Sequence, residues 1–254
     1  MYRMFAVIAI ALLAMYAAAC LGLFLMQRSM IYYPPARASL PAPRVSRLSV
    51  PGAVLKVSER PREGGKAVIY LGGNAEDVSA SLPLFERAFP EHALYLLHYR
   101  GYAGSTGSPT EKDLVQDALA LYDRVAADHP EVVLVGRSLG TGVAVQVASR
   151  RPAHRLVLVT PYDSIAGIAA QQFRAFPVRL LLKDRYESGR YAPQVRAPTL
   201  ILAASADEVI PAWSTRLLAT RFAPGVAAMT TIEGAGHNTI SESPAYLAAL
   251  ASAR

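Results

Sequence analysis

The chain has 254 residues, of which 52% are hydrophobic and 18% charged, with a formal net charge of +7 and one cysteine. This length suits one α/β domain with an appendage, and the apolar content excludes a disordered chain. A single cysteine excludes an internal disulfide framework. Basic residues that are scattered rather than grouped with aromatic ones argue against a nucleic-acid groove, so we expect no nucleic-acid partner.

The chain begins with a long apolar stretch. Residues 4–27 carry no charge, and residues 5–26 are nearly all apolar. As a helix, residues 5–26 would be about 33 Å long, which matches a hydrocarbon core of roughly 30 Å. We predict that residues 1–27 form a single-pass N-terminal membrane anchor, with a bacterial inner membrane as the expected location.

Two other interpretations of this stretch stay open. A cleaved signal peptide is the first, because Arg3 provides a basic start and residues 17–19 are alanines typical of a cleavage site. The second is a lipidated Cys20, although Ala17 stands where a lipoprotein motif usually has leucine. The uncleaved anchor is favoured because residues 21–26 continue the apolar run past the cleavage site.

A proline-rich segment follows the apolar stretch. Four prolines between residues 34 and 43 predict an extended linker, which we place at residues 28–46. Three arginines between residues 28 and 44 outnumber Arg3 before the stretch, which leans toward a cytoplasmic domain. Charge counts this close leave the side of the membrane open.

Short apolar strands alternate with helical segments from residue 47 to residue 254. This alternation predicts an α/β fold with a mainly parallel sheet covered on both faces, in which ligands bind at the carboxyl ends of the strands. The predicted strands are 47–50, 53–58, 66–71, 93–99, 132–135, 155–160, 199–204 and 229–232, with helices at 111–129 and 140–150 among others.

A serine enclosed by glycines lies where the strand 132–135 gives way to the helix 140–150. Ser138 occupies the sharp turn, and Gly136 and Gly140 stand where a side chain would collide with neighbouring backbone. Such a turn holds the hydroxyl out from the sheet edge, near the N-terminal N–H groups of the new helix. This context favours Ser138 as a nucleophile.

A serine hydroxyl needs a base, and the base needs an orienting acid. Asp207 follows the strand 199–204, and His237 follows the strand 229–232, so both belong to the sheet edge that carries Ser138. The order Ser, Asp, His is the one this architecture requires. We predict His237 as the base and Asp207 as the orienting acid.

Other titratable residues fit these roles less well. His98 lies at the exit end of its strand, but no acid follows it at a useful place. Glu208 adjoins Asp207 and competes with it, and Asp163 is expected to cap a helix starting at Ser164. The histidines at the entering ends of strands are expected to be structural: His92, His129 and His154.

An oxyanion needs two N–H donors about 3 Å away. We expect one from Leu139, directly after the serine, and the other from Asn74 in the glycine-rich exit of the strand 66–71. No histidine or cysteine set has metal-ligand spacing, and the glycines at 104 and 107 do not open a helix as a phosphate loop would. We therefore expect neither a metal nor a cofactor.

Five short motifs of the domain stand out together. They are Leu-Gly-Gly-Asn-Ala at 71–75, His-Tyr-Arg-Gly-Tyr at 98–102, Gly-Arg-Ser-Leu-Gly at 136–140, Asp-Glu-Val-Ile-Pro at 207–211, and Gly-His at 236–237. As a set they resemble the α/β-hydrolase superfamily, and within it the membrane-anchored serine hydrolases of the Bem46 and ABHD13/ABHD17 type. The resemblance covers residues 47–254 and implies a twisted parallel sheet, a minimal cap, and the roles given above to the serine, histidine, aspartate and two donors. This chain departs from the pattern with Gly72 in place of histidine and His98 in place of aspartate.

The space for a cap is small. About 38 residues separate the strand ending at Thr160 from Ala197, which excludes a large lid. Residues 166–176 and 177–184 are apolar enough to line an acyl site, and a helix that faces the core would explain the same residues equally well. The predicted function is hydrolysis of ester or thioester bonds in hydrophobic, lipid-like acyl substrates near a membrane. A prolyl-oligopeptidase-like peptidase and a non-catalytic, membrane-tethered binding scaffold are the alternatives.

Overall fold

An eight-stranded sheet organises the chain in a computed structural model that describes residues 1–36 and 44–254. The strands are β1 (Arg44–Val50), β2 (Ala53–Arg60), β3 (Lys66–Leu71), β4 (Ala93–His98), β5 (Glu131–Arg137), β6 (Arg155–Val159), β7 (Thr199–Ala204) and β8 (Ala227–Ile232). Their spatial order is β1-β2-β4-β3-β5-β6-β7-β8, with β1, β2 and β4 paired antiparallel and every later pairing parallel. The predicted mainly parallel sheet is confirmed.

Helices cover both faces of this sheet. They are α1 (Tyr2–Ile31), α2 (Leu82–Ala88), α3 (Glu111–Ala126), α4 (Leu139–Ala148), α5 (Ile165–Gln172), α6 (Val178–Leu181), α7 (Ser188–Tyr191), α8 (Ala212–Ala219) and α9 (Pro244–Ala251). The core on one face is shared with α2 and α9, and the core on the other with α3, α4 and α8. Because both faces are covered, the central strands β3 and β5 are apolar almost throughout.

The register of the central strands places the ends of β3 and β5 side by side. Leu71, the last residue of β3, pairs with Gly136 near the end of β5. The loop that leaves β3 and the turn that leaves β5 therefore start from adjacent positions at the carboxyl edge of the sheet.

Several element ends differ by one to three residues from the predicted ones, and two larger differences fall at the predicted linker. Helix α1 continues past residue 27 to Ile31, because its last turns pack against the domain rather than entering a linker. Strand β1 begins at Arg44, inside the predicted linker, because it pairs with β2 from Arg44 opposite Glu59 onward. Part of the predicted linker, residues 37–43, lies outside the described residues.

The prediction that Asp163 caps the next helix is wrong. Ser164 is the capping residue, since its extended backbone lets its side chain accept a hydrogen bond from the Gly167 N–H. The Asp163 carboxylate instead pairs with Arg221 at 3.4 Å.

Candidate active site

Ser138 occupies a strained turn between β5 and α4. Its φ of 48° and ψ of −118° place it outside the regions that non-glycine residues favour. A Cβ built on Gly140 would lie 2.0 Å from the Leu71 carbonyl oxygen, and one on Gly136 would lie 2.6 Å from that of Gly140. Close backbone packing therefore requires both glycines, as predicted, and it presents the serine at the sheet edge.

The three residues predicted for nucleophilic chemistry lie within hydrogen-bonding distance of one another. His237 Nε2 is 2.9 Å from Ser138 Oγ, and His237 Nδ1 is 3.0 Å from each carboxylate oxygen of Asp207. The side chains of His237 and Asp207 are only 6% and 7% exposed. Shielding from water strengthens these polar contacts and limits the orientations open to the imidazole.

The Asp207 carboxylate is held in its charged form. Burial alone would raise its pKa, but hydrogen bonds from His237 and from the N–H groups of Ile210 and Val209 outweigh burial and lower the pKa below its ordinary value. A charged acceptor favours the tautomer that carries its proton on Nδ1 of His237. The free lone pair on Nε2 then faces the serine hydroxyl, as a general base requires.

Glu208, which competes with Asp207 for the role of orienting acid, contacts the backbone of His237 instead of its ring. It is exposed, and its Oε2 accepts a hydrogen bond of 2.9 Å from the His237 backbone N–H, which lowers the pKa of Glu208. It therefore positions the histidine loop, whereas Asp207 contacts the imidazole.

The competing histidine His98 is engaged elsewhere. Its Nε2 lies 2.8 Å from Ser58 Oγ, and burial lowers its pKa to about 4. His98 is therefore neutral and buried, and it bonds Ser58 of β2 rather than Ser138.

The two predicted oxyanion donors flank Ser138. Leu139 is the first residue of α4, where an N–H has no partner within the helix. Neither its N–H nor that of Asn74 donates to another atom of residues 1–36 or 44–254. Leu139 and Asn74 line the same cavity as Ser138, which agrees with the donor roles predicted for their N–H groups.

The loop that carries Asn74 is held by its own side chain. Asn74 Oδ1 accepts hydrogen bonds from the Tyr102 hydroxyl at 2.9 Å and from the Tyr33 N–H at 2.9 Å. A Cβ at Gly72 would lie 2.5 Å from Val78 Cγ1, so the space beside residue 72 is already filled in this chain. Although this chain has glycine where the family pattern has histidine, these contacts hold the loop that carries Asn74.

A half-buried ion pair that the sequence pattern does not indicate lies beside the site. Arg137 and Glu76 pair at 3.1 Å with side chains 16% and 9% exposed. The same Glu76 oxygen accepts a hydrogen bond from the Gly73 N–H at 2.7 Å, and Arg137 donates to the His237 carbonyl at 3.3 Å. The pair therefore connects the donor loop, the serine turn and the histidine loop. The only indication of this ion pair in the sequence is that a charged residue, Arg137, directly precedes Ser138.

Loss of this ion pair is expected to slow turnover. In Glu76→Gln, the half-buried Arg137 loses its counter-charge, which should lower the free energy of unfolding by about 2 kcal/mol. Small displacements of the three loops should reduce kcat by about a hundredfold with little change in KM. Steady-state kinetics on a short ester, combined with denaturant unfolding, measures both. The exposed Glu63→Gln is the control, and a folded Glu76→Gln with unchanged kcat would refute the positioning role.

A cavity of about 450 Å³ opens above Ser138. Its floor contains Ser138, Leu139 and Asn74, and its lining is largely apolar. One wall belongs to the cap, as predicted for residues 166–184, and the other to α1, which the sequence analysis did not anticipate. The cap contributes Ile165, Ile168, Ala169, Gln172, Phe173, Phe176, Val178, Leu181 and Leu182, and α1 contributes Leu23, Gln27, Met30 and Ile31.

A strained serine between a strand and a helix, with histidine and aspartate from later strand ends of a mainly parallel sheet, defines the α/β-hydrolase class of proteins. Residues 68–195 match the model of the "Alpha/beta hydrolase family". The chain belongs to this family.

Similar proteins agree with this membership. The chain is 34% identical over 234 residues to the protein Rv2307c of Mycobacterium tuberculosis, covering 84% of this chain and 80% of the other. It is 30% identical over 158 residues to the "Alpha/beta hydrolase domain-containing protein 17C" of Mus musculus, covering 61% of this chain and 48% of that one. The esterase Pf2001 of Pyrococcus furiosus has the same fold, with a TM-score of 0.70 at 16% identity over 87% of this chain and 97% of that one. The two sequence relatives agree with membership of the family, and the solved structure agrees with the fold.

Proposed function

We propose that the protein is a serine hydrolase that cleaves carboxylic ester or thioester bonds of hydrophobic acyl substrates beside a membrane. The observation that carries this proposal is the 2.9 Å contact between His237 Nε2 and Ser138 Oγ on the floor of an apolar cavity. Pockets that bind small molecules combine such an apolar lining with a few convergent polar groups.

The geometry supports acyl transfer in two steps. Ser138 Oγ attacks the acyl carbonyl carbon while His237 Nε2 takes the hydroxyl proton, and Asp207 stabilises the imidazolium. The carbonyl oxygen becomes an oxyanion that the Leu139 and Asn74 N–H groups bind. The imidazolium then gives its proton to the leaving alcohol or thiol as the bond to carbon breaks, which leaves an acyl-serine.

Water completes the cycle in the second step. His237 removes a proton from water, the resulting hydroxide attacks the acyl-serine, and the same N–H groups bind the second oxyanion. Collapse of this intermediate returns the proton to Ser138 Oγ and releases the carboxylic acid. No redox partner or cofactor takes part in this sequence.

Helix α1 supports the membrane part of the proposal. It has 30 residues, and among the described residues it is the helix whose length and composition would allow it to cross a membrane. The Tyr16 hydroxyl donates to the Ala175 carbonyl at 2.8 Å, a contact that cleavage after residue 19 would remove. This contact favours an uncleaved, single-pass anchor.

A panel of acyl substrates tests the proposed reaction. The purified full chain in detergent micelles is assayed with esters and thioesters from acetyl to palmitoyl and with proline-containing peptides. We expect kcat/KM to rise by about fourfold per added methylene group until the cavity is filled, because each buried methylene stabilises the bound state by about 0.8 kcal/mol.

Three other results would contradict the proposal. Cleavage of peptides alone would indicate a peptidase, and turnover of no substrate at all would indicate a binding scaffold. A kcat/KM that is independent of acyl length would argue against binding of the acyl chain in the apolar cavity.

A further inference from the structure

Helix α1 lies along the cap over several turns. The Tyr16 ring stacks on Phe176 with centroids 5.9 Å apart, and the Tyr16 hydroxyl bonds the carbonyl of Ala175. Further along the helix, Arg28 pairs with Asp184 at 2.9 Å. Since an α-helix rises about 1.5 Å per residue, these two contacts lie about 18 Å apart along α1.

A polar residue fastens α1 to the cap within this contact. Gln27 is 7% exposed and is the buried residue of an otherwise exposed or half-buried helix. Its Nε2 donates to the Leu181 carbonyl at 3.1 Å, and its Oε1 accepts from the Lys183 N–H at 2.6 Å. Both ends of the amide thus bond backbone groups at the end of α6 and just after it, which fixes the rotation of α1 about its axis.

The segment after α1 continues this attachment toward the reaction centre. The hydroxyls of Tyr32 and Tyr186 lie 2.9 Å apart in the protein interior. The Tyr33 N–H donates to Asn74 Oδ1, in the loop that carries one proposed oxyanion donor. The helix is therefore connected by hydrogen bonds to the cap on one side and to the donor loop on the other.

The fixed rotation turns one side of α1 into the cavity. Leu23, Gln27, Met30 and Ile31 line it, and their spacing of three to four residues places them on one helical face. By contrast, Leu25 is 70% exposed on a different face of the same helix. The cap and the floor with Ser138 complete the enclosure.

Exposed apolar side chains lie in the same region, although Arg174 and Arg179 of the cap are exposed as well. On the cap, Leu180 is 82% exposed and Phe173 is 39% exposed, although both belong to segments packed beside α1. Apolar groups in such a position fit a hydrocarbon environment better than water. If α1 crosses the bilayer, the cap beside Tyr16 and Gln27 lies at the level of the lipid acyl chains.

We propose that α1 is a wall of the acyl site, that Leu23 limits the length of the acyl chain, and that the substrate is a long-chain acyl ester or thioester that is resident in the bilayer and enters the cavity from it. This inference rests on the proposed hydrolase function. It assigns the helix a part in substrate selection in addition to anchoring.

Matched substitutions on two faces of α1 test whether this helix forms a wall of the acyl site. In the full chain, Leu23→Trp should lower kcat/KM for palmitoyl relative to butyryl esters by roughly tenfold or more, since each excluded methylene group forfeits about fourfold. Leu23→Ala should change the length preference in the opposite direction. Leu25→Trp, with the same substitution on the exposed face, should keep the wild-type profile.

A comparison of substrate sources tests the entry route. The chain is reconstituted in phosphatidylcholine vesicles and given the same palmitoyl thioester either preloaded in the vesicle bilayer or held in solution by serum albumin. We expect faster turnover of the bilayer-resident substrate, and equal or faster turnover of the soluble one would overturn entry from the bilayer.

The outcomes separate this inference from the proposed function. If both Leu23 variants keep the wild-type length profile while short esters are hydrolysed, the wall is refuted and the hydrolase proposal stands. If the wild-type chain hydrolyses neither short nor long substrates, the hydrolase proposal itself has failed. Turnover of butyryl ester shows that each variant is folded, and the alanine variant keeps the test valid if the tryptophan variant does not fold.

Discussion

Replacement of either Ser138 or His237 by alanine is expected to lower kcat by about a millionfold while leaving the fold intact. Each change removes the covalent step of the proposed mechanism, in which the Ser138 hydroxyl attacks and the His237 imidazole, 2.9 Å from it, acts as the base. Asp207→Asn should cost about ten-thousandfold, since it disturbs the tautomer and orientation of the imidazole but leaves both reacting groups in place.

A double variant shows whether Ser138 and His237 act together or contribute to turnover independently. The Ser138→Ala/His237→Ala double variant should be no slower than either single variant, because neither group acts without the other. Turnover of a short-chain ester, measured beside circular dichroism spectra, is the test. Undiminished turnover in His237→Ala would transfer the role of base to another histidine, with His98 as the first to examine.

Gly140→Ala is expected to have the largest effect on stability. A Cβ at this position would lie 2.0 Å from the Leu71 carbonyl oxygen and 2.5 Å from that of Gly72, and both are backbone atoms. Relief of this overlap requires α4 to move away from β3, which would also displace the serine turn. We expect a loss of more than about 4 kcal/mol in the free energy of unfolding, or failure to fold.

A second glycine provides the matched control. At Gly65, an added Cβ would make ordinary contacts of 3.5 Å with the Pro130 ring, and the backbone there is compatible with alanine. Denaturant unfolding of both variants, together with their yield of folded protein, compares the two sites. Equal stability of Gly140→Ala and Gly65→Ala would contradict the close packing described for the serine turn.

Much of this architecture could be predicted because local patterns determine it. The apolar run of β5 and the glycines around Ser138 locate the strand and the turn, while Asp207 and His237 follow strands whose ends share one edge of a parallel sheet. The structure brings the three residues together as this topology requires. Predicted strand and helix ends were less accurate, since pairing partners and packing decide where an element stops.

The remaining features depend on contacts between distant parts of the chain. The partnership of Glu76 and Arg137 cannot be read from residues that are 61 positions apart. Likewise, the apolar pattern of α1 indicates a membrane span, and nothing local shows that Gln27 bonds the backbone near Leu181, 154 residues later. Such side chains acquire their role only when tertiary structure buries them.

Covalent labelling tests the assignment of Ser138 as the nucleophile most directly. The purified full chain is incubated with a fluorophosphonate, and its intact mass and proteolytic peptides are measured by mass spectrometry beside those of Ser138→Ala. We expect one phosphonyl adduct on the peptide that contains Ser138 and none on the variant. An unlabelled wild-type chain, or an adduct that persists in Ser138→Ala, would contradict this assignment.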